Sequence, residues 1–413
     1  MNKVLLSHPT GNANVRAVAR GLYDEGLLGL FKTSIASFPE DLLYRIASRG
    51  PLSEIRRRGF DSRLKKVTST APWYEIARLL ALKFNLSSLT AHEEGRFCVD
   101  AIYRSIDHAA ADALNSKKYR GVYAYEDGAL YSFRKAKELG LKCLYDLPIG
   151  YWRAARKLLE VEQQRWPEWV STLQTSKDSH EKLERKDEEL ALADCIFVAS
   201  QFTAQTLREY PGSLAKVEVI PYGFPPVASL RRYDEKIRSR KLRLLFVGGL
   251  SQRKGIADLF AAVERLRDYV SLTVVGRKTG FDCPALDAEL SKHSWLPSLS
   301  HSEVLQKMQE HDVLIFPSLF EGFGLVITEA MSQGTPVITT ERTIGPDVIT
   351  DGDNGWLVKA GSPSDLFDKI TLLLEDPEKV ILAGQAAMET ASKRPWGVYE
   401  IELARAVKSL FYA

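Results

Sequence analysis

Two glutamates flank a Gly-Phe-Gly turn in the stretch LFEGFGLVITEAMSQGTPVI, residues 319–338. Glu321 stands directly before the turn, and Glu329 follows it inside a predicted helix. The two glycines carry no Cβ, so the backbone of the turn can approach a ligand closely. A helix that begins near Leu325 presents unpaired N–H groups and the positive end of its dipole, which suit a phosphate. Because a carboxylate repels phosphate, we expect each glutamate to accept hydrogen bonds from neutral hydroxyls, one from a sugar and one from a ribose.

The position of the turn supports this interpretation. The apolar run VLIFPS (313–318) precedes it and predicts a strand. In a sheet of parallel strands, ligands bind beyond the carboxyl ends of the strands, where this turn lies. Taken alone, a Gly-x-Gly turn is weak evidence, because turn glycines and exposed charges at a helix end would explain it equally.

Short apolar strands alternate with amphipathic helices through the second half of the chain. The strand candidates are LRLLFVGG (242–249), SLTVVG (271–276), VLIFPS (313–318) and PVITT (336–340). Strands that are apolar throughout and separated by helices predict a parallel sheet covered on both faces. The α/β class with a doubly wound topology follows.

The first half shows the same alternation with longer insertions. Its strand candidates are KVLLSHP (3–9), VYAYED (122–127), KCLYDLP (142–148), CIFVAS (195–200) and VEVIPY (217–222). The segment FPPVASLRRYDEKIRSR (224–240) combines prolines with dense charge and no apolar period, which is typical of a linker.

The run PSLFEGFGLVITEAMSQGTPVI strongly resembles the signature of retaining nucleotide-sugar glycosyltransferases of the GT-B fold, specifically glycosyltransferase family 4. LLFVGGLSQRKGI (244–256) is similar to the strand, glycine turn and Lys-Gly helix start of that family. The resemblance implies two Rossmann-like doubly wound domains facing a cleft. We expect an acceptor-side domain over 1–225 and a nucleotide-sugar-binding domain over 240–395. Residues 396–413 are then a helix that crosses back to the first domain.

The resemblance also implies roles for individual residues. Lys254 matches the lysine that binds the donor diphosphate. Many relatives carry an arginine where this chain has Gly249, and Arg253 is expected to substitute for it. Glu321 would orient the sugar and Glu329 would hold the ribose. The other donor-binding residues expected are Gly322, Phe323, Gly324, Leu325, Val326, Gly276, and Gly11 and Asn12 in the loop after the first strand.

One departure from the family concerns the acceptor. Relatives usually carry a histidine at the end of a first-domain strand, whereas this chain reads CLYDLPIGYW and, upstream, YAYEDGAL. Glu126, Asp127 or Asp146 is expected to supply the polar contact and to deprotonate the acceptor hydroxyl. We rank Asp127 and Asp146 equally as that group.

These residues predict an enzyme that transfers a sugar from a nucleoside diphosphate sugar to an acceptor hydroxyl, with retention of configuration, in polysaccharide or glycoconjugate synthesis. GT-B enzymes typically work without metal, so neither a metal nor another cofactor is expected. A sugar-nucleotide epimerase or a phosphorylase on the same scaffold is an alternative. A non-catalytic partner that binds nucleotide sugar is another.

Composition adds little about partners. Lys and Arg total 56 against 53 Asp and Glu, a net charge of +3, and nucleic acid is not expected to bind. The basic run RRRGFDSRLKK (56–66) is either solvated surface or a contact with an anionic membrane or a lipid-linked acceptor. Four widely spaced cysteines and the short apolar run at the start predict a reducing cytoplasm, with peripheral contact at the inner membrane face.

Overall fold

The structure is a computed structural model that describes residues 3–41, 58–116, 118–173, 178–234, 236–279 and 282–411. Its first half holds a seven-stranded sheet in the order β3-β2-β1-β4-β5-β6-β7, with every pairing parallel. The strands are β1 (Val4–Ser7), β2 (Leu28–Thr33), β3 (Thr68–Thr70), β4 (Gly121–Tyr125), β5 (Lys142–Leu147), β6 (Cys195–Val198) and β7 (Lys216–Val219).

The second half holds a six-stranded parallel sheet in the order β10-β9-β8-β11-β12-β13. The strands are β8 (Leu242–Val247), β9 (Val270–Val275), β10 (Ser294–Leu296), β11 (Val313–Phe316), β12 (Val337–Thr340) and β13 (Trp356–Val358). In each sheet the strand order reverses beside the first strand, which opens a crevice at the carboxyl edge. The prediction of two doubly wound parallel sheets is confirmed.

Helices cover both faces of the two sheets, which is why the strands are apolar throughout. In the first half they are α1 (Ala13–Asp24), α2 (Trp73–Lys83), α3 (Ser87–Thr90), α4 (Val99–Leu114), α5 (Leu130–Glu138), α6 (Trp152–Arg165), α7 (His180–Leu192) and α8 (Gln201–Thr206). In the second half they are α9 (Ile256–Glu264), α10 (Pro284–Leu290), α11 (His301–Glu310), α12 (Leu325–Ser332), α13 (Gly345–Val348), α14 (Pro363–Glu375), α15 (Glu378–Lys393) and α16 (Trp396–Ser409).

The last helix, α16, packs against α1 of the first half. A Cβ on Gly21 would lie 2.4 Å from the backbone oxygen of Glu400, so only glycine permits this approach. Arg20 Nη2 lies 2.5 Å from the Glu400 carboxylate at the same contact. Our domain boundaries stay a prediction, although one sheet ends at Val219 and the next begins at Leu242.

The cysteines and the helices bear on the predicted compartment. Cys98, Cys143, Cys195 and Cys283 are all buried free thiols. Among the residues that the structure describes, no helix is both long and apolar enough to cross a membrane.

Candidate active site

The Gly-Phe-Gly turn connects β11 to α12 at the carboxyl edge of the second sheet. Gly324 adopts a φ of 90°, a left-handed conformation that favours glycine, and α12 begins at the next residue. No side chain caps this helix start. The turn is held by its backbone, because the carbonyl of Phe323 accepts a hydrogen bond of 2.9 Å from the N–H of Ile344. The helix start therefore has the form that the sequence predicted for an anion site.

Glu321 lies buried between this turn and the end of β8. Its Oε1 accepts hydrogen bonds from Lys254 Nζ, from Ser318 Oγ at 3.1 Å and from Arg253 Nη1 at 3.4 Å. Arg253 Nη1 also donates to the carbonyl oxygen of Phe320 at 2.8 Å. One carboxylate is thus shared by two cations.

The Lys-Gly segment explains how these cations reach the turn. Ser251 Oγ accepts a hydrogen bond from the Arg253 N–H at 3.2 Å, which starts a short 3-10 turn. Gly255 follows with a φ of 69°, and a Cβ there would lie 2.1 Å from the carbonyl oxygen of Pro317. The glycine therefore lets this turn pack directly on the end of β11. Burial lowers the pKa of Lys254 to about 6, with a further contribution from the neighbouring Arg253, so its charged form is costly here and a nearby anion would stabilise it.

A cavity of about 320 Å³ lies between the two halves, beside these cations. Its second-half wall includes Arg253 and Lys254. Its first-half wall includes Glu126, Trp152, Arg156 and Lys186.

Glu126 lines this cavity, unlike Asp127 and Asp146, the other two carboxylates predicted to contact the acceptor. It directly follows β4 and is 8% exposed. Burial raises its pKa to about 7, while Lys186, whose Nζ lies 3.7 Å away, opposes that rise. A carboxyl group that titrates near neutral pH beside a cavity can exchange a proton with a bound hydroxyl.

Asp127 and Asp146, which we ranked first, do not line the cavity. Asp127 has a φ of 69°, and its carboxylate accepts a hydrogen bond from Arg185 at 3.3 Å. Asp146 lies inside β5, where it accepts a hydrogen bond of 2.6 Å from the hydroxyl of Tyr123. Burial raises the pKa of Asp146 to about 7. The left-handed backbone of Asp127 and the position of Asp146 within β5 direct both carboxylates into the protein.

Gly322 has a different reason for being glycine from the one predicted. A Cβ there would lie 1.9 Å from the carbonyl oxygen of Pro148, in the first half. The Gly322 carbonyl accepts hydrogen bonds from Ser200 Oγ at 2.6 Å and from Thr203 Oγ1 at 2.9 Å. The residue therefore joins the two halves of the molecule. Phe323 is buried, with its ring 4.8 Å from the ring of Tyr222.

The remaining predicted donor residues lie outside this cavity. Glu329 is half-buried, burial raises its pKa, and His301 Nδ1 lies 3.8 Å from its carboxylate. A Cβ on Gly276 would lie 1.8 Å from the carbonyl oxygen of Gly248, so that glycine joins the ends of two strands. Leu325 is exposed and Val326 half-buried at the start of α12.

The first glycine loop is packed against an aromatic ring. A Cβ on Gly11 would lie 2.6 Å from the ring of Phe60. Asn12 is exposed at the start of α1, and its side-chain oxygen accepts a hydrogen bond from Thr10 at 3.3 Å. Neither residue lines the cavity described above.

The sequence analysis did not single out the cations of α7. Lys182, Arg185 and Lys186 recur at helical spacing and so share one face. Lys182 Nζ lies 2.9 Å from Asp100 and 3.0 Å from Asp178. The i, i+3, i+4 spacing of these residues could have predicted a basic face on α7. It could not have predicted which acidic residues pair with that face.

One group of side chains among the described residues could hold a metal ion. Ligand atoms of His92, Glu93 and Asp178 all lie within 4.8 Å of one another. Asp178 already pairs with Lys182 and, at 3.3 Å, with Lys186, so its charge is balanced. The expectation that no metal takes part stays a prediction.

Comparison with known sequences finds a family similarity in the second half. Residues 227–389 match the family model described as Glycosyl transferases group 1. The chain is 28% identical over 221 residues to a D-inositol 3-phosphate glycosyltransferase of Pseudarthrobacter chlorophenolicus, covering 49% of this chain and 53% of that protein. It is 31% identical over 192 residues to a glycogen synthase of Mycobacterium tuberculosis, covering 43% and 44% respectively. The chain thus spans about half the length of the curated relatives it matches.

Solved structures share the whole fold at low sequence identity. Sucrose-phosphate synthase from Thermosynechococcus elongatus superposes with a TM-score of 0.64 at 18% identity, covering 100% of both chains. Anabaena Alr3699/HepE, solved in complex with UDP and glucose, gives a TM-score of 0.62 at 16% identity, covering 99% of this chain and 100% of that one. The chain therefore has the two-sheet GT-B fold, and its residues 227–389 are similar to the glycosyl transferases group 1 family.

Proposed function

We propose that the protein is a retaining glycosyltransferase of family 4 that moves a sugar from a nucleoside diphosphate sugar to an acceptor hydroxyl. One observation carries the proposal: Glu321, Lys254 and Arg253 meet beside a helix start and a cavity between the two halves. Two half-buried cations that share one carboxylate leave a site suited to the charge of a diphosphate.

The proposed mechanism uses these groups as preorganised electrostatics. Negative charge builds on the β-phosphate as the sugar leaves. Lys254, Arg253 and the N–H groups of residues 323–326 would stabilise it, the kind of effect that often contributes most to catalysis. Glu321 would hold sugar hydroxyls, and Glu329 would accept hydrogen bonds from the ribose. The cations would take the place of a metal ion, so the proposed reaction needs no metal.

On the acceptor side, Glu126 is better placed than Asp127 or Asp146 to receive the proton of the acceptor hydroxyl. It lines the cavity, and its pKa of about 7 suits a group that gains and loses a proton near neutral pH. Asp127 and Asp146 would then keep the surrounding helix and strand in position.

The relatives suggest the classes of donor and acceptor. A neighbour solved with UDP and glucose supports a uridine diphosphate sugar as donor. The names of the curated relatives support either a phosphate-bearing acceptor or a growing polysaccharide. Arg156 favours the phosphate-bearing acceptor, because it lines the cavity and stacks on Trp152 at 5.0 Å without an ion-pair partner among the described residues.

The test is a screen of nucleoside diphosphate sugars for hydrolysis and transfer, with the anomer of the product assigned by NMR. We expect turnover with a retained anomer, and we expect Glu321→Ala and Lys254→Ala to abolish it. Lys157→Ala is the matched control, because Lys157 forms an exposed ion pair with Glu209 at 2.8 Å, away from the cavity lining.

Each alternative predicts a different result in this screen. An epimerase would change the donor sugar without an acceptor, and a phosphorylase would require inorganic phosphate. A protein that binds nucleotide sugar but turns over with no acceptor would support the non-catalytic partner. An inverted anomer would contradict the retaining mechanism.

We also keep the peripheral contact with an anionic membrane, at its cytoplasmic face, as a proposal. Residues 56–57 of the basic run lie outside the described part of the chain. Within 58–66, Arg58 pairs with Glu75, Arg63 with Asp24 and Lys65 with Asp41. Much of the basic charge is therefore already paired within the protein, so the run by itself is a weak docking surface.

A further inference from the structure

The helix α2, next to that run, presents an apolar face to solvent. Trp73 is 78% exposed, Ile76 38%, Leu80 49% and Phe84 65%. Their spacing of three, four and four residues places them on one side of the helix. Leu86, 48% exposed, continues this stripe beyond the helix end. We call these five residues the α2 stripe.

An exposed stripe of this kind is unusual for a protein surface. Single exposed apolar residues are ordinary, whereas a contiguous group that includes two large aromatic rings marks an interaction site. Glu75 and Ala81 anchor the other side of α2 in the protein: Glu75 is 3% exposed and accepts a hydrogen bond from Arg58, although Leu82 near them is 47% exposed. The helix therefore has a fixed orientation, with its apolar stripe outward.

The segment that carries the stripe has a positive net charge, and the acids Glu93 and Glu94 follow beyond it. Residues 73–91 contain two basic residues, Arg78 and Lys83, and one acidic residue, Glu75, which is buried beneath Arg58. Lys83 is exposed beside Phe84 and has no ion-pair partner among the described residues. A surface that combines exposed tryptophan, phenylalanine and leucine with lysine matches the chemistry of an anionic bilayer interface.

The topology places the stripe near the cavity side of the molecule. Helix α2 begins three residues after β3 ends at Thr70. Glu126 follows the end of β4 in the same parallel sheet, so both lie toward its carboxyl edge. A membrane that held Trp73 would therefore lie toward the edge from which an acceptor enters.

We propose that the α2 stripe docks the protein on an anionic lipid bilayer, with its aromatic and aliphatic side chains inserted at the level of the headgroups. A second copy of the chain fits less well, because a two-fold dimer through the stripe would bring the Lys83 side chains of both copies to the same apolar patch. The proposal does not depend on the proposed sugar transfer, since lipid binding is measured without donor or acceptor.

The test is sedimentation of the full chain with vesicles of phosphatidylcholine alone and with vesicles of phosphatidylcholine and phosphatidylglycerol in equal parts. We expect binding to the anionic vesicles only, weakened by salt. The double variant Trp73→Ala/Phe84→Ala should weaken it by about tenfold, because apolar insertion and charge both contribute to interfacial binding. Leu80→Glu should weaken it further.

The matched control is Leu382→Glu on α15, because Leu382 is an exposed leucine, at 64%, in the second half of the chain. It should bind vesicles like the unchanged protein. Thermal melting checks that each variant is folded, and if Leu80→Glu is not, the double alanine variant alone decides. Absence of binding to the anionic vesicles, or equal binding by the alanine variant, would overturn the proposal. So would a dimer in sedimentation velocity that Leu80→Glu dissociates, because a second copy would then cover the stripe.

Discussion

The two walls of the cavity hold their charges in different ways. On the second-half wall, Lys254 and Arg253 share the single carboxylate of Glu321. On the first-half wall, Lys186 Nζ lies 3.3 Å from Asp178 and 3.7 Å from Glu126. Lys182, the other buried cation of α7, lies away from the cavity and also meets two acids, Asp100 and Asp178. An excess of buried cation is costly unless an anion is bound, whereas a balanced network is stable by itself. The cation pair of the second-half wall is therefore suited to an anionic ligand, whereas the α7 network supports the fold.

Removing the excess cations should produce the largest effect on activity. We expect Arg253→Ala/Lys254→Ala to lower kcat/KM for sugar transfer by at least about 10²-fold, because charge stabilisation at the leaving group is lost. In Arg253→Ala alone, the free energy of unfolding, from urea denaturation, should stay the same or rise, because one of two neighbouring cations is removed while Lys254 still pairs with Glu321. A large loss of stability would contradict the division between the walls.

The carboxylate that faces the cavity should come next. We expect Glu126→Gln to lower kcat by about 10²-fold, the lower range for a lost general base. Because its pKa is about 7, the unchanged protein should transfer faster as pH rises through neutrality and the carboxyl group loses its proton. The glutamine variant should lack that rise. Asp127→Asn is the control, and an equal loss of kcat there would show that the cavity lining does not identify the base.

Breaking the balanced network should alter stability more than chemistry. Lys182 is 8% exposed, and its removal leaves Asp100 and Asp178 with less compensation. We expect Lys182→Ala to lower the free energy of unfolding by about 2 kcal/mol, somewhat less than a fully buried pair would lose. Lys135→Ala, which removes a surface pair with Glu138, should change it little. Equal losses in the two variants would show that the α7 network is ordinary surface charge.

The smallest effect on activity should come from Asp146, which faces neither wall and acts on stability alone. Burial raises its pKa from 3.8 to about 7, so between about pH 4 and pH 7 the folded state holds a proton that the unfolded chain has released. The free energy of unfolding should therefore fall as pH rises through this window, by at most about 1.4 kcal/mol per pH unit, and then level off. Asp146→Asn should make that fall shallower. An identical pH dependence in the variant would place Asp146 in a more hydrated position than the structure shows.

Much of the fold could be predicted because its causes are local. The apolar runs of β8 and β11 and the amphipathic helices between them indicate a covered parallel sheet without any knowledge of their partners. The turn at Gly324 and the lysine before Gly255 could also be predicted. A left-handed backbone conformation and a cation at a helix start both depend on residues that are adjacent in the sequence.

The sequence by itself therefore determined the two sheets, the sheet edge at which we propose that a ligand binds, and the presence of Glu321 and Lys254 at that edge. Only the tertiary structure decided which carboxylate faces the cavity, because Glu126 and Asp127 are neighbours whose directions depend on the packing of α7. It also decided that Gly322 contacts Pro148, and that no other described residue covers the stripe from Trp73 to Leu86. Each of these features depends on contacts between segments that are far apart in the sequence. The hydrophobic periodicity of one segment does not predict such contacts.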